Sequence, residues 1–72
     1  MKKINYLSSR AILIFQARTK LNLTQKELGE QCGYRNNAAK IVSKWETDYR
    51  PVPKSKIILL GGILNIDPLK LL

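Results

Sequence analysis

The chain predicts an all-α fold: one domain spanning residues 1–72, built as a compact bundle of about five short helices. Helix-start signals, each a Ser, Thr, Asn or Asp ahead of an apolar pattern, recur along it. Between those starts apolar residues return at three- and four-residue spacing, and no stretch beyond the first seven residues alternates as a strand would. With 72 residues, only about 60% of the unfolded surface can be buried, which suits one small core and no enclosed cleft.

Residues 1–7 precede the first start signal and are the one place for an N-terminal arm or short strand. Ser8 or Ser9 then caps a first helix running to about Lys20, with Ile14, Ala17 and Leu21 on its inward face. Ile12, Leu13 and Phe15 exceed what that face needs. They are left to pack on Ile4, Tyr6 and Leu7 or on a second subunit. In "TQKE" Thr24 is an N-cap and Glu27 stands three residues on, the reciprocal capping box. Leu23 can staple onto Leu28, and Gly33 can close this second helix in a left-handed conformation. Gly29, inside it, costs about 1 kcal/mol relative to alanine, and is either a mark of close approach by another helix or an ordinary tolerated glycine.

The third helix starts at Asn36 or Asn37 and ends near Thr47. Ala38, Val42 and Trp45 form its apolar stripe, flanked by Ile41, while Asn37, Lys40, Ser43 and Lys44 share the opposite face. Pro51 and Pro53 punctuate a loop before a fourth helix over residues 54–64, with Ile57, Leu60 and Leu64 inward and Asn65 at its end. Asp67 then caps a short fifth helix with Pro68 at its first position.

Thirteen Lys and Arg stand against five Asp and Glu, a net charge of +8. Residues 1–26 contain no acid, and none lies between Glu30 and Glu46. Such a chain attracts polyanions. Histidine is absent, which removes the usual proton shuttle near neutral pH. One cysteine without histidine makes no structural zinc site. No enzyme, cofactor or metal is expected, so no catalytic residue is assigned. Cys32 suits a buried thiol, and the absence of a signal core or membrane-length apolar run places the expected location in the cytoplasm.

Two short helices joined by a tight turn, the second basic and amide-rich on its outer face, form a helix-turn-helix. The chemistry is specific. Lysine donates to guanine O6 and N7, asparagine pairs with adenine N6 and N7, and an acid on that face would be repelled by phosphate.

With these features the chain resembles the Cro/CI-type, or XRE, helix-turn-helix regulators. The resemblance rests on "LTQKELGEQCG" at 23–33, "IVSKWE" at 41–46, "RPVP" at 50–53 and "LGGILNIDPLKLL" at 60–72, about fifty residues in order. It implies a lambda-repressor-like DNA-binding domain. By its pattern Gln25 would hydrogen-bond a phosphate and brace the recognition helix. Lys40, Ser43 and Lys44 would face the groove, and Arg50 would hold the DNA backbone on the far side; apart from the resemblance, Lys54 is a further candidate phosphate holder. Val42 and Trp45 match buried positions.

About three residues more than usual separate Gly33 from "IVSKWE". The recognition helix therefore starts earlier or the turn is longer, and Arg35, Asn36 and Asn37 become candidate DNA contacts. Asp48 stands where the family commonly has glycine. The ligand-binding or cleavable domain often appended in the family has no counterpart, so regulation through one is not expected. The reading is a sequence-specific, double-stranded DNA-binding regulator, a Cro-like repressor that binds a palindromic operator as a homodimer. Ile12, Phe15, Leu69, Leu71 and Leu72 are candidate dimer surface or ordinary core. The alternative is an antitoxin or operon-control protein that binds a partner and autoregulates its promoter. Phage, restriction-modification and anti-CRISPR contexts remain open.

Overall fold

The computed structural model describes residues 8–72. Among them are four α-helices, α1 (Ser9–Lys20), α2 (Gln25–Gln31), α3 (Ala38–Glu46) and α4 (Lys54–Leu64), and no strand. The expected fifth helix is instead a four-residue 3-10 turn, Pro68–Leu71, capped by the Asp67 side chain. Its bonding is of the i+3 type, the Lys70 N–H donating to the Asp67 carbonyl at 2.9 Å. The arm or strand expected over residues 1–7 lies outside the described residues.

The helix ends are written locally. Ser8 is the α1 cap, its hydroxyl accepting the Ala11 N–H at 3.2 Å. The capping box of α2 is complete: Glu27 N–H donates to the Thr24 hydroxyl at 3.0 Å, and Thr24 N–H to the Glu27 carboxylate at 2.8 Å. Gly33, at φ +97°, closes α2 as expected, with Tyr34 N–H bonded to Gly29 O and Gly33 N–H to Glu30 O. That pair of bonds is the Schellman arrangement. At α3 the expectation is half met. Asn37 is the cap residue, but in the left-handed region at φ 58°, and its side chain makes no cap bond. The turn geometry claims its backbone, so the amide does not reach back over the helix.

The core gathers Ile14, Leu28, Cys32, Val42, Trp45, Val52, Ile57, Leu60, Leu64 and Leu71 from every element. On α1 the buried residues are Ala11, Ile14 and Arg18, so the inward face is rotated from the expected Ile14–Ala17–Leu21 line. Leu21 is 47% exposed, because it is the C-cap, where its N–H folds back onto Ala17 and Arg18 carbonyls. Leu71, a candidate for dimer surface, is core; Ile12, Phe15, Leu69 and Leu72 are exposed. Burial pushes the Cys32 thiol above its ordinary pKa.

Gly29 explains how α2 and α3 come so close. A Cβ there would lie 2.6 Å from the Ala38 carbonyl oxygen and 2.7 Å from the Ala38 Cβ. The close approach suggested by a mid-helix glycine is therefore real, and the helix it admits is α3.

After α3 the chain reverses at Asp48, whose φ of 60° is the left-handed conformation that glycine would take more easily. Its carboxylate is held by the Ser8 N–H, by the Ser8 hydroxyl at 2.8 Å and by Arg10 at 3.6 Å. The Ser8 backbone bond first, then its hydroxyl and Arg10, set the Asp48 pKa below its ordinary value. The Thr24 N–H does the same for Glu27. Both folded-state values are depressed, so the contribution is present above the unfolded carboxylate range and lost as pH falls through the folded values. Urea midpoints measured from pH 6 down to pH 2 are expected to fall below about pH 4, the unfolded carboxylate range. Asp48→Asn should shallow that fall, and an unchanged acid limb would remove Asp48 from the account.

Candidate nucleic-acid interface

The face presented by α3 follows from which of its side chains the core takes. Ala38, Val42 and Trp45 point inward, and Glu46 is buried with them. Lys40 and Lys44, four residues apart, are exposed on one face, with Ser43 half-buried. Ahead of the helix Arg35, Asn36 and Asn37 are all exposed. Residues 32–37 separate α2 from α3, more than the usual three or four of such a turn. The extra residues have lengthened the turn, which puts these three side chains at the N-terminal end of α3.

Beyond α3 Arg50 is exposed, and its N–H donates to the Lys44 carbonyl at 3.2 Å, folding the loop onto the helix end. Lys44 and Arg50 share the rim of a shallow pocket of about 240 Å³ with Tyr34, Ile41, Trp45, Pro51 and Pro53. Lys54, also exposed, lines a different groove with Ile57, Ile58, Pro68, Leu69 and Leu72. The structure thus brings Lys44 and Arg50 together and sets Lys54 apart from that pocket.

The positive charge of this region is undiluted for a structural reason. Only Glu46 and Asp48 carry carboxylates between residues 31 and 66, and both are turned to internal partners. Asp48 is held by Ser8 and Arg10. Glu46 accepts from Arg18 Nε at 2.6 Å, from a second Arg18 nitrogen at 3.2 Å and from the Gln25 amide at 3.0 Å. Arg18 also donates to the Leu23 carbonyl at 2.8 Å. This cluster joins α1, the start of α2 and the end of α3.

The Gln25 amide is thus tied to the end of α3 through the Glu46 carboxylate. The Arg18–Glu46 pair was not among the residues that composition and motif singled out. A signal for it does exist: Arg18 lies four residues after Ile14 and Glu46 four after Val42, each on the buried stripe of its helix. Opposite charges on two inward faces ask for each other. Tyr34 and Trp45 meet edge to face at 5.9 Å between centroids, and the Lys56 ammonium sits 5.1 Å over Tyr34 while donating to the Cys32 carbonyl at 2.8 Å. Trp45 is thus occupied in the core, as its stripe position requires.

No group of potential metal ligands clusters among the described residues, and no helix there is long and apolar enough to cross a membrane. No curated protein and no solved structure matches the chain. A family model described as helix-turn-helix does match, over residues 14–71, from the middle of α1 to the end of the 3-10 turn. That span contains α2, the lengthened turn, α3 and the whole bundle that holds them. The chain belongs to the helix-turn-helix family of Cro/CI (XRE) type, whose members are DNA-binding transcriptional regulators and generally not enzymes.

Proposed function

We propose that this regulator is a Cro-like repressor with a lambda-repressor-like domain, reading double-stranded DNA through α3. The observation that carries this reading is the division of α3. Its apolar stripe is sunk in the core while Lys40 and Lys44 stand outward, with no unengaged carboxylate beside them. In the major groove Lys44, and Lys40 with Ser43, reach base edges or flanking phosphates. Asn36 and Asn37 keep their amides free of helix capping and available to adenine. Arg35, Arg50 and Gln25 hold phosphates around them, and Lys54 meets the backbone farther out.

One such module buries little DNA surface, so useful specificity calls for a homodimer on a palindromic operator, with half-sites about 34 Å apart. Repression follows from occlusion of polymerase at the promoter, and the working location is the cytoplasm. The exposed apolar groove of Ile58, Leu69 and Leu72 favours a second reading alongside the first. It fits a protein contact, either with a second copy or with the partner of an autoregulating antitoxin or operon-control protein.

Selection of sites from random duplex DNA at fixed salt tests the reading. A two-fold symmetric motif is expected; binding that enriches no motif and simply fades with salt would refute it. On the selected site Lys44→Ala should relax preference at one base position by ~1–3 kcal/mol. Arg50→Ala should weaken all sequences evenly and reduce the salt slope by about one. Parent-like behaviour of both variants would place the recognition surface elsewhere.

A further inference from the structure

Tyr49 is the exposed aromatic that neither the core nor the motif accounts for. It is 73% exposed, immediately after the left-handed turn at Asp48. The backbone on both sides of it is tied down. Asp48 is held by Ser8 and Arg10, and the Arg50 N–H is bonded to the Lys44 carbonyl. The backbone that presents the ring is thereby constrained. The Lys44 ammonium lies 5.7 Å from its centroid, inside the range at which a ring face attracts a cation.

From this arrangement we propose that Tyr49 is a positioning residue for Lys44, holding its ammonium in register for the groove. The proposal rests on the reading of Lys44 as a base contact. Lysine is a point charge on a flexible four-carbon stem, so its aim is easily lost. Among the described residues it forms no ion pair: the carboxylates of the two salt bridges, Glu46 and Asp48, belong to Arg18 and Arg10. The ring face steadies the cation without neutralising it, which a carboxylate would do. At an exposed site the attraction corresponds to a factor of about two to five in the population of the aimed conformer.

A double-mutant cycle on the selected operator separates the possibilities. The quantity read is the ratio of affinities for the operator and for the same duplex changed at the base that Lys44→Ala relaxes. Tyr49→Ala should lower that ratio about two- to fivefold in the parent and not at all in the Lys44→Ala background. Tyr49→Phe, which keeps the ring face, should match the parent. Equal loss in the Phe and Ala variants, or a Tyr49→Ala loss that persists without Lys44, would overturn the proposal and make the phenol a direct DNA contact. A Tyr49→Ala variant with the parent's ratio would also overturn it, leaving the Lys44 reading intact. If Lys44→Ala itself changes no base preference, that reading fails first and the proposal with it. Thermal midpoints should stay together, since the ring is exposed.

Discussion

Glu46→Ala is expected to bring the domain close to unfolding. Arg18 and Glu46 side chains are only 11% and 5% exposed, so their pair lies largely out of reach of solvent screening. Removing the carboxylate strands the Arg18 guanidinium in the core and deprives the Gln25 amide of its acceptor. Breaking a buried pair from one side costs about 3–5 kcal/mol. A domain of this size has a total stability of roughly 4–11 kcal/mol, at ~0.05–0.15 kcal/mol per residue. The loss is therefore a large share of what is available. Urea unfolding followed by circular dichroism checks it, and a variant with the parent's midpoint would mean the pair contributes nothing. Replacing both partners, Arg18→Met with Glu46→Leu, should recover much of the stability, because no charge is then left unpaired. The double variant should still bind operator less well, since Gln25 has lost the group that ties it to the end of α3.

Gly29→Ala is the second large effect, and it reverses the usual expectation for a helix. In an open helix the change would stabilise by up to about 1 kcal/mol. Here the new methyl would meet the Ala38 carbonyl oxygen at 2.6 Å, and a backbone atom cannot swing aside as a side chain can. Overpacking of this kind costs about 1–3 kcal/mol, so the net change should be a loss of order 1–2 kcal/mol. Because the struck residue is the first of α3, the helix proposed to read DNA is itself pushed. Operator affinity should fall about tenfold, more than stability alone accounts for. Adding Ala38→Gly removes the methyl at 2.7 Å but leaves the carbonyl oxygen, so rescue should be partial. Gly62→Ala is the control: nothing lies within 4 Å of its Cβ position in α4, and it should be neutral or stabilising. A Gly29→Ala midpoint at or above the parent's would show that α2 and α3 can part without cost.

Most of the architecture was legible where the determinants are local. The Thr24–Glu27 capping box and the Gly33 closure involve atoms within a few residues and stand as read, and of the two candidate caps for α1, Ser8 and Ser9, the structure takes Ser8. The α3 stripe was legible for the same reason, since three- and four-residue spacing alone puts Ala38, Val42 and Trp45 on one side. What the sequence misread or left open fell at helix ends and turns, where the path of the backbone decides. Leu21 looked inward until the end of α1 was set by its own capping bonds, and the choice between surface and core at Leu71, open in the sequence, was made when the last turn folded onto the core. Asn37 has the chemistry of a cap, but the backbone path of a lengthened turn left its side chain free.

By itself the sequence determined the all-α character of residues 8–72, the place of their helices, the helix-turn-helix and the basic, acid-free character of residues 31–45. Those properties depend on composition and on bonds between neighbours in the chain. Only the tertiary structure decided that Glu46 faces Arg18 and Gln25, that Asp48 is locked to Ser8 and Arg10, and that Tyr49 lies under the Lys44 ammonium. These contacts join α1 and α2 to the end of α3, and the post-α3 loop to α1 and α3. The energy of a charge or a ring depends on what surrounds it in space, and sequence spacing does not record that.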